Sequence, residues 1–498
     1  MANQYSGNTV KPFELRDFSK GRITPYSANT YLSPKNSVAN CVNVNFDTII
    51  GSGVVRPGTT LLGSTVASGK TPLGLGQFVG PGGSLNLLLS VFSGASNATL
   101  YYFDTAWHAS GLTALSNTAK VRFAVLGGRA FMANGTDAMK SSTDGSTWAT
   151  TNCITSGATP SLLFKTKGRL LAAGDATYRD RIYFSSIISP ASSPFITWNT
   201  DASTGDWIDI NPDDGGYVTG FSETSDVTLV FKNTGMYRLD TISKTVDAQN
   251  IFNIGAVSQE AIVTCQGITY YFSGIDIRRT NGAYPEQLSR IGVQDFIDAI
   301  PQANWTQVAA GTDGLSVWFS IGDVTLSTNQ TTSRTYTNVV LKFSTRDESW
   351  SVHSYAQKPR FYSQYTNSTN GQKMVSADTS GSVQTVNIGT TDNSTPIYFE
   401  LETQEQDFGN RSHAHEIADQ MVIYTNFGID SKLQIKPDSN DYVNIDVDLS
   451  DRVNIAENLN IKCHFAQFKW FGESTGAAPT FEGMYIERVN DLGLTQTN

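Results

Sequence analysis

One phrase recurs through the middle of this chain: a short apolar strand, a polar turn with glycine, and a second strand that often holds a Tyr or Phe pair. It is present in "LNLLLSVF" followed by "TLYYFD", in "VRFAVLGGRAFMANG", in "LLFKTKGRLLAAGD" with "RIYFSS" after it, and in "VTLVFKNTGMYRLD". "AIVTCQGITYYFSGIDIRRTNG", "LSVWFSIG" and "NVVLKFSTRDESWSV" continue it. A lone hairpin cannot bury its apolar faces, so such a unit must stack on copies of itself. The repeat distance, ~40–50 residues, is that of a propeller blade. About six to seven units fit between residues 65 and 390.

The composition agrees with an all-β chain. Its 43 glycines, 11% aromatic residues and only 16% charged residues suit strands and tight turns. Helical spacing is nearly absent. The best candidate is Val293 to Gln302, with Val293, Phe296, Ile297 and Ile300 on one face and Pro301 to end it. The flanks break the blade rhythm. Residues 1–64 read as an N-terminal arm with the first strands, punctuated by Pro12, Pro25, Pro34 and Pro57 and expected to order against neighbouring subunits. Residues 391–498 carry longer alternating strands, such as "PIYFELETQEQDFG" and "NIKCHFAQFKWFG", the pattern of an antiparallel β-sandwich-like domain. The expected organisation is therefore an arm (1–64), a β-propeller (65–390) and a C-terminal β domain (391–498).

Two spots in the blades and one near their end share a device. "FDTAWHA" holds Asp104 and Trp107, "SSTDGSTWAT" holds Asp144 and Trp148, and "STRDESWSV" holds Asp347 and Trp350. In each, an Asp enters a tight turn where it can accept backbone N–H bonds, and a Trp begins the returning strand and covers the turn. Ser142 to Trp148 resembles the Asp-box hairpin of sialidase-type propellers, one residue shorter than its Ser-x-Asp-x-Gly-x-Thr-Trp pattern. In that family the box is structural and lies on the blade periphery. These six residues are expected to be structural.

Charge and motifs narrow the chemistry. Lys and Arg total 35 against 45 Asp and Glu, a net −10. Affinity for phosphate backbones needs clustered cations, so a nucleic-acid-wrapping protein is disfavoured, while a passage through which DNA slides is compatible. The start lacks a basic region followed by an apolar segment, and the run Leu85 to Phe92 is far too short to span a bilayer, so no membrane insertion is expected. Cys41, Cys153, Cys265 and Cys463 are scattered and read as four buried free thiols. "GSTVASGKT", Gly63 to Thr71, imitates a phosphate-binding loop, but Ser64 stands where a Gly is needed and Pro72 blocks the helix. His413 and His415 would share a strand face and form two-thirds of a metal site; a polar face or subunit contact is the expected role. "NIDVDLSD" aligns Asn444, Asp446 and Asp448, and "NPDDGG" holds Asp213 and Asp214, without the frame of a calcium loop. Arg278 and Arg279 are adjacent on a strand and point apart, so they cannot clamp one carboxylate. No cofactor, metal or catalytic set is expected, and the chain reads as a non-enzyme.

Whole phrases carry a family resemblance. Ala39, then Asn43-Val44-Asn45-Phe46-Asp47, a turn at Gly51 or Gly53, and Arg56-Pro57-Gly58 form the first. "DDGGYVTGFSETSDVTLVFKNTGMYRLD" with "NIGAVSQEAIVTCQGITYYFSGIDIRRTNGAYPEQLS" forms the second, and "ETQEQDFGNRSHAHEI" the third, though it lacks a Lys frequent near Ala414. Together they resemble the tail nozzle, or tail tubular, proteins of short-tailed bacteriophages. The resemblance implies a β-propeller subunit of a ring, a hexamer, in the virion tail below the portal and adaptor. Such a ring continues the DNA channel, retains the packaged genome and passes it during ejection. Its implied partners are its own copies, adaptor proteins, tail components such as fibres, and double-stranded DNA without specific binding. The chain would be made in the host cytoplasm. Asp213, Asp214, Asp347 and Glu348 are candidate acids facing that lumen. The alternative from the Asp turns is a carbohydrate-binding or glycan-cleaving propeller, such as a sialidase-like tail protein.

Overall fold

Each recurring phrase folds into part of a four-stranded antiparallel sheet, and seven such sheets close a ring. The computed structural model describes residues 10–493 except 24–33, 35, 84, 151–158, 190–195, 200–205, 226, 247–250, 328–332, 368–370, 428–429 and 439. Blade 1 is Pro72–Val79, Asn86–Phe92, Thr99–Phe103 and Trp107–Ala109. Blade 2 is Arg122–Leu126, Arg129–Ala133, Lys140–Ser142 and Ala149–Thr150. Blade 3 is Leu162–Thr166, Arg169–Ala173, Arg181–Phe184 and Trp207–Asp209. Blade 4 is Val218–Glu223, Thr228–Lys232, Gly235–Asp240 and Thr245–Val246. Blade 5 is Ile262–Cys265, Ile268–Phe272, Ile277–Thr280 and Glu286–Gln287. Blade 6 is Ala309–Thr312, Ser316–Ser327, Ser333–Ser344 and Trp350–Ser354. Blade 7 takes Pro359–Asn367, Gly371–Asp378 and Val383–Val386, and receives its outermost strand, Thr59–Leu61, from before blade 1. That borrowed strand closes the ring, so no blade edge is left at the seam.

Apolar residues at alternate strand positions face the neighbouring blades. Leu88, Phe92 and Phe103 of blade 1 pack on Phe361, Val375 and Ala377 of blade 7, and equivalent clusters fill other blade interfaces. The two ends of the ring differ. Inner strands begin at one face, here the entry face. The turns between third and fourth strands, including all three Asp–Trp turns, lie at the opposite face, here the turn face.

The C-terminal strands build two packed antiparallel sheets. One orders Val44–Asn45, Gly53–Val55, Thr480–Gly493, Ala414–Asn426 and Val453–Cys463, with Val10–Leu15 also paired to Thr480–Gly493. The other orders Val38–Val42, Ile397–Thr403, Ala466–Ser474, Ser431–Pro437 and Val443–Ile445. Trp470 lies between them, its ring 4.5 Å from Phe399 and 5.5 Å from Phe481. The described part of the N-terminal segment is thus no free arm. Its strands as far as Val55 complete the sandwich, where Leu15, Val38, Cys41, Val42, Val44 and Val55 are buried, and Thr59–Leu61 completes blade 7.

Helical spacing at residues 293–302 marks real core positions but a shorter helix. Val293, with φ −141°, separates Ser289–Gly292 from Gln294–Asp298, and Val293, Phe296, Ile297 and Ile300 are buried. They join one apolar cluster with Phe343 and Trp350 of blade 6 and with the sandwich core. Propeller and sandwich therefore share a core. Trp470→Ala, expected to cost about 3–5 kcal/mol, should lower the unfolding of the whole chain in a single transition; calorimetry and tryptophan fluorescence that disagree on the midpoint would show two independent units.

Candidate functional site

The turn at Asp144 is built by hydrogen bonds to one carboxylate oxygen. Asp144 Oδ1 accepts from Ser146 N (2.9 Å), Thr147 N (2.7 Å) and Ser142 Oγ (3.0 Å). Gly145 sits at φ 75°, a backbone region an L side chain enters only with strain. Trp148 Nε1 donates to Gly145 O at 2.9 Å while its ring packs near Phe123 (6.3 Å). Asp104 Oδ1 repeats the arrangement, accepting from the backbone of Thr105 and from Ala106 N at 3.1 Å, bonds that hold its carboxyl down to about 2. Asp347 departs from it: it pairs with Arg346 at 3.1 Å and with Ser344 Oγ at 3.4 Å.

The tryptophans do more than cover turns. Trp107 of blade 1 donates to Leu62 O (2.8 Å), just past the strand that closes blade 7. Trp350 of blade 6 donates to Leu288 O (3.2 Å), which follows blade 5. Trp148 of blade 2 joins the cluster holding Phe78, Leu87 and Leu89 of blade 1. Each ties its blade to the preceding one.

The remaining candidates do not converge. Asp213 and Asp214 lie on the entry-face connector Pro212–Asp214, whereas Asp347 and Glu348 lie on the turn face, so the four acids cannot line one ring. Asp214 is held at 2.6 Å by the fully buried Lys232, and Glu348 is paired with Arg279 at 2.7 Å. Asp213 alone of the four is exposed without an ion pair among the described residues. His413 Nδ1 meets Asp491 at 2.8 Å, while His415 turns inward, its Nε2 2.8 Å from Asn410 O. His413 precedes the strand Ala414–Asn426, so the two imidazoles share no face. Arg278 pairs with Asp276 and Arg279 with Glu286 and Glu348, on opposite sides of the strand. Residues 63–71 form a loop tied to blade 7 through Ala67 N and Gly69 N, with no helix after it. Among the described residues no group of three His, Cys, Asp or Glu is placed to hold a metal, and no helix is long and apolar enough to cross a membrane. Cys41, Cys265 and Cys463 are buried free thiols; Cys153 lies outside the described residues.

The sequence pattern did not reveal the joint between propeller and sandwich. Arg56 is 1% exposed. Its Nη1 and Nη2 clamp Asp392 at 2.9 and 2.6 Å, Nε donates to Asn43 Oδ1 (2.7 Å), and the remaining donors reach Pro57 O and Ser354 O, each at 2.9 Å. Its face lies 4.0 Å from the Tyr355 ring centre. All five N–H groups are thereby used. Gly58 is needed beside it, since a Cβ there would come within 1.9 Å of Thr391 O. The phrase Asn43 to Asp47 alternates: Val44 and Phe46 enter the core, while Asn43, Asn45 and Asp47 reach Arg56, His353 (2.9 Å) and Lys342 (2.8 Å). Burial, then the charges of Arg56 and Lys342, push the His353 imidazole well below its ordinary range, so it is neutral.

A second buried group of charges ties the long hairpin of blade 6 to the sandwich. Glu400, 1% exposed, meets Arg334 at 2.6 Å and Lys469 at 2.8 Å, and accepts from Tyr398 OH (2.7 Å) and Asn40 Nδ2 (3.1 Å). Burial would raise its carboxyl, but Arg334 and then Lys469 outweigh it and hold the group down to about 2. Glu402, two residues on, is raised by burial and by the charge of Glu400. Split carboxyls of this kind serve acid–base chemistry in clefts, but here Lys469 lies against both, 2.8 Å from Glu400 and 3.7 Å from Glu402.

A cavity of about 650 Å³ lies beside the joint and is lined by Tyr355, Tyr362, Asp378, Gln384 and Asn393 among other polar groups. Within it Ser380 Oγ donates to Asp378 Oδ1, whose other oxygen accepts from Gln384 Nε2 at 3.0 Å. No known family model matches the chain, and no curated protein matches it. Among solved structures it is similar to virginiamycin B lyase from Staphylococcus aureus, at 12% identity over 66% of this chain and 96% of that one, with a TM-score of 0.41. It is also similar to YCF48 bound to D1 peptide, at 13% identity over 65% and 95% with a TM-score of 0.39. BBS1N in complex with ARL6DN gives 11% identity over 67% and 98%, with a TM-score of 0.41. These are β-propellers, and likeness at this level brings no function with it.

Arg56→Ala leaves Asp392 buried and unpaired and should cost about 3–5 kcal/mol; Asp144→Ala should cost only about 1–2 kcal/mol, both read from urea midpoints. The Glu400 carboxyl is lower in the folded state than in the unfolded one. Its stabilisation is therefore full above about pH 4.5 and is lost as pH falls toward 2. Glu400→Gln should lower stability at neutral pH and flatten the loss across that window, seen in urea midpoints measured against pH.

Proposed function

We propose that this chain is a structural subunit of a ring in the tail of a short-tailed bacteriophage, a hexameric nozzle that extends the DNA channel below the portal and adaptor. One observation carries the reading furthest: an exposed apolar patch held rigidly on the joint. Ile49 (46% exposed) and Ile50 (80%) follow Asp47, and Leu315 (70%) precedes Ser316. Asp47 bonds Lys342 at 2.8 Å and Ser316 Oγ at 3.4 Å, which ties the segment carrying Ile49 and Ile50 to the turn carrying Leu315. Large apolar side chains on segments tied in this way suit a contact with another copy.

The residues of the first resembling phrase support the same reading. Asn43, Asn45, Asp47, Arg56 and Gly58 all serve the joint, so the phrase is a mechanical signature and brings no chemistry with it. Subunits of a pressurised conduit need this stiffness between domains. The net charge of −10 suits a passage that does not hold DNA, with Asp213 the remaining candidate among the predicted lumen acids. The implied neighbours are adaptor proteins and fibres, and the implied location is the virion.

Light scattering tests this directly. The purified chain, alone or with its adaptor complex, should give a particle of about six copies of 54.0 kDa. Ile50→Asp with Leu315→Asp should shift it to monomer without changing the melting temperature. A wild-type monomer that binds or cleaves a glycan would contradict the reading.

A further inference from the structure

Cations gather at the entry face of the propeller, in a chain that is acidic overall. Lys120 and Arg122 lead into blade 2, Arg179 stands on a loop of blade 3, and Lys358 and Arg360 lead into blade 7. Lys120 and Arg122 reach across the axis to Glu260 at the entry of blade 5. Lys120 Nζ lies 3.0 Å from Oε2, and Arg122 Nε lies 2.7 Å from Oε1. Burial would raise the Glu260 carboxyl, but the charges of Arg122 and Lys120 outweigh it and hold the group well below its ordinary range. One carboxylate thus serves two cations. The partner of Arg360 is the neutral Gln307 Oε1, and among the described residues Lys358 and Arg360 form no ion pair. Burial and then the charge of Arg360 push Lys358 down, and burial likewise lowers Lys120 and Arg360. Lys358 and Arg360 stand outside the cavity beside them, whose charged lining is Lys120, Arg122, Arg179 and Asp175, with Glu260 against the first two.

A cavity of about 450 Å³ opens beside them, lined by Lys120, Arg122, Arg179, Ser161, Tyr217 and Ser258. Asp175 also lines it, but its oxygens already accept from Thr177 N (2.7 Å) and Tyr183 OH (3.2 Å). Ser258 is 8% exposed, and among the described residues its Oγ has no hydrogen-bond partner. A buried hydroxyl is costly unless it is bonded, and the three cations of the lining outnumber Asp175 and Glu260 by one. Both are relieved by the same class of ligand, one that brings several oxygen acceptors and more than one negative charge.

We propose that this cavity binds a small oxyanion of the phosphate class: inorganic phosphate, pyrophosphate or the phosphate tail of a nucleotide. Glu260 presets Lys120 and Arg122, Arg179 closes from the solvent side, and Ser258 donates its hydroxyl. The cavity is too small for a nucleic-acid duplex, so the site is independent of any DNA conduit and of the ring reading.

Titration calorimetry on the full chain with phosphate, pyrophosphate and a nucleoside triphosphate tests this. Saturable binding is expected, tightest for pyrophosphate if the ligand is inorganic and for the triphosphate if it is a nucleotide. Arg179→Gln should weaken it about tenfold and Ser258→Ala several-fold, both with unchanged melting temperature. Arg346→Gln, on the turn face, should leave it intact. No saturable binding by any of the three, or binding by both cavity variants as tight as that of the wild type, overturns the proposal. So does an acidic peptide that binds where no phosphate compound does.

Discussion

The buried pair of Arg56 and Asp392 is the interaction on which the rest of the architecture hangs. A guanidinium at 1% exposure survives only because all five of its N–H groups are bonded and an aromatic ring lies against its face. The acceptors come from the N-terminal segment, from the end of blade 6, and from the link between blade 7 and the sandwich. Three remote parts of the chain are therefore fixed at one point. The strand Thr59–Leu61, which closes the propeller, leaves directly from that point. Ring closure and domain placement are consequently one event.

The joint also explains how blades with few charges stay in register. Tryptophans at three blade turns bond or pack to the preceding blade, and Glu400 with Arg334 fastens the long hairpin of blade 6 to the sandwich. These polar links are specific in direction where apolar packing is not. A propeller held this way resists shear between blades, which is what a tail component under internal pressure would require.

Much of this was legible in the sequence because it is local. Strand–Gly–strand phrases such as Val121 to Gly135 gave blades, since a two-residue turn and alternating apolar residues dictate a hairpin wherever they occur. The Asp144 turn was legible for the same reason. What was not legible is non-local. Nothing near Phe13 or Val38 says that its pairing partner is Ile486 or Thr403, hundreds of residues on. The resemblance singled out Arg56-Pro57-Gly58 without revealing that Asp392 is its counter-charge. Asp213 and Asp347 looked alike as acidic loops, and only strand direction separates them to opposite faces. The cation cluster was hidden by the net charge, because Lys120 and Arg179 are far apart in the chain and line one cavity only in the folded ring.

Low-resolution imaging of the purified chain assembled with its adaptor tests the central claim most directly. The account predicts closed rings of about six copies, each a propeller and a sandwich in one fixed relative orientation set by the Arg56 joint. Isolated monomers under assembly conditions, or subunits whose two lobes vary in relative angle, would contradict it.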